Sequence, residues 1–102
     1  MNKTEQRYSQ MLSAYNVEWW AFEKVKLSLG HHCWYTPDFV CIRVDGTVCM
    51  VDVKAGDRAG KAIWTDDARV KIKAAARAYP WLTFIAVHEV GRNNWVEEEI
   101  QP

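Results

Sequence analysis

The chain has 102 residues, a formal net charge of zero, nearly half its residues hydrophobic and a quarter charged. That is enough for one domain with one core, spanning residues 1–102, and too little for two. No apolar run approaches the roughly eighteen residues of a membrane helix, and the polar N-terminus carries no secretory pattern, so a cytoplasmic protein without membrane contact is expected.

Asn2 or Thr4 can cap a first helix, whose apolar stripe is Tyr8, Met11, Leu12 and Tyr15, with Asn16 as its stop. Glu18 to Leu29 reads as a strand, with Trp19, Trp20, Phe22 and Val25 supplying bulk, before a turn at Gly30-His31-His32. Two further strands, Asp38–Val44 and Val48–Lys54, follow, then a loop from Ala55 to Trp64 containing Gly56 and Gly60. Thr65 is an N-cap for a second helix, with Asp66 and Asp67 beside its positive end. Ala68, Ile72, Ala75, Ala76 and Tyr79 share one face of that helix, and Pro80 ends it. Leu82–Val90 is a last apolar strand and Trp95–Ile100 a short edge strand. The expected fold is α/β, a small mixed sheet with helices on both faces.

The central hairpin carries the chemistry. Asp38, Asp52 and Lys54 sit in strands otherwise too apolar for an edge, and buried charges are costly unless they pair or hold a metal. Alternation puts Asp52 and Lys54 on one side of their strand. Whether Asp38 joins them depends on loop parity. A two-residue Asp45-Gly46 turn would set Asp38 opposite Val53 and on the wrong face. A three-residue loop, Asp45-Gly46-Thr47 with Gly46 at a positive φ, pairs Val44 with Val48, Val40 with Asp52 and Asp38 with Lys54. An odd-length loop is therefore expected. It leaves Val40, Ile42, Val48 and Met50 on one face and Phe39, Cys41, Cys49, Val51 and Val53 on the other, a strand pair covered on both sides. Two carboxylates and an ammonium on one patch can bind a hard divalent cation and position a water nucleophile.

Pro37-Asp38, a hairpin, then Asp52-Val53-Lys54 resembles the PD-(D/E)xK nuclease superfamily. With Asn2-Lys3-Thr4-Glu5 opening a helix, Tyr35-Thr36-Pro37-Asp38-Phe39 opening a strand and Lys71-Ile72-Lys73 on a helix ending at Tyr79-Pro80, residues 2–88 are similar to a family of short phage-encoded endonuclease-like proteins. That family more often has Glu at the position of Asp52. The resemblance implies a restriction-endonuclease-like core in α-β-β-β-α-β order and a Mg²⁺- or Mn²⁺-dependent endonuclease acting on DNA, without an organic cofactor. Asp38, Asp52 and the Val53 carbonyl would bind the metal, Lys54 would orient water or neutralise the transition state, and Glu5 would be the first acidic residue of the site. Nucleases of this superfamily often act as homodimers. A short chain leaves little surface for reading bases, so structure-selective or weakly sequence-specific cutting is expected. The alternative is a catalytically silent nucleic-acid- or protein-binding module on the same scaffold.

From its own spacing, Glu5 faces the buried side of the first helix, yet Asn2-x-x-Glu5 also matches a capping box. Glu18 and Glu23 are substitutes for it should the helix face otherwise. Seven basic residues lie between Lys54 and Arg77 against three acidic ones, a local basic face suited to phosphate. Lys61, Arg69, Lys71, Lys73 and Arg77 are its DNA-binding candidates. Arg69, Lys73 and Arg77 follow one flank of the second helix and Lys71 the other, and only one flank can face the site. His31, His32 and His88 lack metal-ligand spacing and read as turn or core residues. Cys33, Cys41 and Cys49 read as buried, reduced thiols. The six tryptophans read as core or dimer contacts, with Trp34 and Trp64 set apart because they flank the proposed site.

Overall fold

A computed structural model describes residues 1–14 and 17–102. Helix α1 (Lys3–Ala14) starts at a reciprocal cap. Asn2 Oδ1 accepts from the Glu5 N–H at 2.8 Å, and Glu5 Oε1 accepts from the Asn2 N–H at 2.8 Å. Two of the amides that a helix start leaves open are thereby satisfied. Tyr8 and Leu12 form its buried stripe, with Met11 packed beside them. Tyr15 and Asn16, expected to extend the stripe and stop the helix, lie outside the described residues.

The single strand expected from Glu18 to Leu29 is two elements. Strand β1 (Val17–Phe22) ends with Phe22 opposite Phe39; there the Glu23 N–H donates to the Asp38 carbonyl at 2.8 Å and Glu23 turns to φ 48°. Leu27–Gly30 (β2) then leaves the sheet and pairs with Cys33–Tyr35 (β3) around the expected His31-His32 turn. Only Tyr35 of β3 is buried, so Cys33 is exposed, contrary to the expectation for all three thiols.

Strands β4 (Phe39–Arg43) and β5 (Val48–Lys54) form the central hairpin, followed by helix α2 (Asp66–Ala78), β6 (Thr83–Glu89) and β7 (Trp95–Glu99). The five-stranded sheet runs β1-β4-β5-β6-β7. Strands β5 and β6 are parallel, joined through α2, and the other neighbours are antiparallel, so the sheet is mixed. The expected α/β architecture with helices on both faces is present. The chain departs from a bare α-β-β-β-α-β order by the inserted β2–β3 hairpin and by the added edge strand β7.

Strand alternation sorts the core. Phe39, Cys41, Cys49, Val51, Ile85 and Val87 pack under α1, whereas Val40, Met50, Phe84 and Ala86 pack under α2. Thr65 caps α2 by accepting from the Ala68 N–H at 3.2 Å, and Ile72, Ala75 and Ala76 form its buried face. Fully enclosing Ile72 stabilises the domain by about 2 kcal/mol. Among the described residues, no helix is long and apolar enough to cross a membrane.

The hairpin register differs from expectation by two residues. The pairs are Phe39–Val51, Val40–Met50, Cys41–Cys49 and Ile42–Val48, closed by the Arg43 N–H donating to the Thr47 carbonyl at 2.9 Å. The loop is Val44-Asp45-Gly46, not Asp45-Gly46-Thr47. Gly46 closes a turn on the Arg43 carbonyl at 2.8 Å with φ +89°, a conformation that suits glycine, and Asp45 Oδ1 accepts from the Thr47 N–H at 2.9 Å. Val44 is thus an exposed loop residue, and Val40 faces Met50 rather than Asp52. One step beyond Phe39–Val51, Asp38 lies across from Asp52 rather than Lys54. The loop length is odd, as expected, and a shift of two preserves every face.

The loop after β5 is strapped to β6. Gly56 bridges to Ala62, and His88 Nε2 lies 2.9 Å from the Gly60 carbonyl, which makes His88 a satisfied, buried core histidine. A Cβ on Gly56 would meet the Glu89 carbonyl oxygen at 2.7 Å. Gly56→Ala is therefore expected to destabilise the protein by about 1–3 kcal/mol, as backbone must shift to admit the methyl group. A lowered urea midpoint would report this; an unchanged midpoint would show that the loop yields without cost.

Candidate active site

The ends of β4 and β5 place two carboxylates at the floor of a cavity of about 250 Å³. Pro37, fully buried, leads the chain into Asp38. Asp38 Oδ2 accepts from the Val53 N–H at 2.8 Å, and Asp52 Oδ1 accepts from the Asp38 N–H at 3.4 Å. The N–H and carbonyl of one strand residue face the same neighbour, so the Val53 carbonyl also turns toward Asp38. Lys54, two residues beyond Asp52 on the same face, sets its Nζ 3.7 Å from Asp52 Oδ2. Trp34, Tyr35 and Thr36 form one wall, and Asp67, Ala68 and Lys71 of α2 form the other.

Electrostatically the site is strained toward the neutral acid. Burial pushes Asp38 up to about 7. The Val53 N–H opposes that rise, while the charges of Asp52 and Glu5 add to it. Burial likewise raises Asp52, against the opposing effects of Lys54, the Tyr35 hydroxyl and the Asp38 N–H. Tyr35 is 6% exposed, and burial followed by the Asp52 charge drives its hydroxyl well above the ordinary phenol range, so it stays a neutral donor. That hydroxyl faces Asp52 closely enough to favour its charge, yet finds no partner in hydrogen-bonding geometry.

Asp38, Asp52 and Lys54 therefore come together as the sequence suggested. Glu5 is buried and near enough to act on Asp38 through its charge, but one of its oxygens serves the α1 cap. Among the described residues, no three His, Cys, Asp or Glu side chains form a ready metal-binding group, so the acids that meet are two. Of the basic candidates, Lys71 lines the cavity and pairs with Asp67 at 3.8 Å. The Arg69 guanidinium lies 4.6 Å from the centre of the Trp64 ring, and Lys54 Nζ lies 4.9 Å from the same centre. Lys61, Lys73 and Arg77 are exposed and do not line the cavity. The flank of α2 that faces the site is thus the Lys71 flank.

Tyr35, Thr36 and Asp67 were not singled out from the sequence as site residues. Tyr35 had a faint signal, a polar-tipped aromatic at the inward position of a short strand. Asp67 read simply as a favourable charge at a helix start. A larger concavity, about 620 Å³, opens beside α1 and is lined by Tyr8, Met11, Leu12 and Cys41, with Arg43, Asp45 and Glu97 at its rim. Volume does not make it the better candidate, because its lining is mostly apolar and brings no two carboxylates together with a lysine as the smaller cavity does. Arg43 pairs with Glu97 at 3.5 Å, and Asp45 holds the Thr47 amide. No family model, curated protein or solved structure matches the chain.

Proposed function

We propose that the protein is a Mg²⁺- or Mn²⁺-dependent endodeoxyribonuclease of the PD-(D/E)xK type, hydrolysing DNA phosphodiester bonds with structural or weak sequence selectivity. The order α1, β1, β4, β5, α2, β6, with the β2–β3 hairpin set aside, supports a restriction-endonuclease-like core. One observation carries the functional reading. Two carboxylates and a lysine, Asp38, Asp52 and Lys54, share the lining of one cavity at the ends of β4 and β5.

The donors suit a hard cation, since the lining offers carboxylate oxygens and neither thiol nor imidazole. Asp38, Asp52 and the Val53 carbonyl would hold it. When bound, such a cation lowers the pKa of its water and neutralises charge on the phosphate. Lys54 faces the scissile phosphate, where its charge opposes the negative charge building on the equatorial oxygens. Tyr35 donates from the wall and needs no proton loss to do so. Glu5 adds negative potential behind Asp38. Two such sites acting on opposite strands would require a homodimer, and phage origin is part of the same reading.

Glu5's engagement in the cap favours a second reading, a binding module that keeps the scaffold without turnover. The experiment that separates them is cleavage of labelled duplex, single-stranded and four-way-junction DNA with Mg²⁺, Mn²⁺ or EDTA. Cutting that requires the metal supports the nuclease. A folded protein that cuts none of these supports the binding module.

A further inference from the structure

We infer that the site receives an unpaired nucleic-acid strand, with a base stacked on Trp34 at the cavity mouth; this rests on the reading of the cavity as a phosphodiester site. All three cation–π contacts among the described residues lie at Trp34 and Trp64. Trp34 is 48% exposed on the inserted β2–β3 hairpin and lines the cavity, with Lys26 Nζ 4.8 Å from its ring centre. Trp19 and Trp81 are as exposed or more so, but Trp34 alone of these three lines the cavity, where its half-exposed ring can meet the flat face of a base.

The charge pattern selects the strand. Duplex binders neutralise many phosphates across a broad basic face. The cations that line this cavity are two, Lys54 and Lys71, with Lys26 set against Trp34 and Arg69 against Trp64. Alternating cations and aromatic faces is how proteins hold single strands, where every base offers a stacking surface and every phosphate a charge. A cavity of about 250 Å³ has room for one sugar and phosphate. Trp34 then holds the base adjoining the scissile phosphate, while Trp64 keeps Lys54 and Arg69 in place rather than stacking itself.

The test is binding, kept apart from turnover. Fluorescence anisotropy of a labelled thymidine oligonucleotide and of a duplex of equal length is measured in Ca²⁺, for wild type, Trp34→Ala and Trp34→Tyr, with folding checked by circular dichroism. The expected result is tighter binding of the single strand. Trp34→Ala should weaken it about tenfold or more, the scale of one base–aromatic stack, and Trp34→Tyr should restore most of it. Equal or tighter duplex binding by wild type would overturn the proposal, whatever the variants do. So would single-strand affinity that a folded Trp34→Ala protein retains in full. Strand preference with no cleavage in Mg²⁺ would leave this inference standing and overturn the nuclease instead.

Discussion

Asp52→Asn should lower metal-dependent cleavage by about 10²–10³-fold. Asp52 is 6% exposed, so the amide replaces a charge that burial already disfavours. The variant also leaves Lys54 without its ion pair, so the two effects oppose each other and its stability in EDTA should stay near that of wild type. Lys54→Ala should lose activity on a similar scale for a different reason. It removes the cation at the phosphate and leaves Asp52 without its ion pair at 3.7 Å, so it should also be less stable. Single-turnover cleavage and urea unfolding, read side by side, distinguish the two. Full activity in a folded Asp52→Asn protein would remove the carboxylate pair from the mechanism.

The acidic pair should also make the metal-free protein less stable as pH rises. Asp38 goes from an ordinary 3.8 to about 7 on folding. A raised carboxylate contributes stability that is fully present below about pH 4 and lost as pH climbs through 7, because the folded state then holds a charge it disfavours. Asp52 shifts in the same direction. Asp38 is only partly buried, so the loss is on the order of 1–2 kcal/mol after solvent screening. Thermal melts in EDTA from pH 4 to 8 should show this decline in wild type and much less of it in Asp38→Asn. The asparagine can still accept from the Val53 N–H through its amide oxygen. Mg²⁺ should offset the decline in wild type, since a bound cation favours the charged pair. Parallel pH profiles for wild type and Asp38→Asn in EDTA would show that the pair is not electrostatically strained.

The site was largely legible because its residues follow rules of short range. Strand alternation puts Asp52 and Lys54 on one face wherever the strand lies, and an odd loop brings Asp38 to that face under either odd register. That robustness explains how the expected loop could be misplaced by one residue and the pairing by two without moving the acids off their face. Helix starts were legible for the same reason, since the Asn2–Glu5 and Thr65–Ala68 bonds span three residues each.

Other features depended on contacts between segments distant in the chain. The strand expected through Leu29 breaks because Glu23 reaches the end of β4, and the Asp38 carbonyl takes its amide there. The excursion that follows carries Trp34, which the sequence already placed beside the site, and Tyr35, which it did not single out, to the cavity wall. Which flank of α2 meets the acids was likewise open, because Arg69, Lys73 and Arg77 recur as regularly as any functional stripe. Ile72, Ala75 and Ala76 settled it by docking on the sheet and turning Lys71 inward. The sequence by itself determined which side chains share a face and where helices begin, since backbone geometry repeats every two or 3.6 residues. Tertiary structure alone decided which faces meet and that Tyr35 is buried against Asp52, because burial arises only when separate elements close over one another.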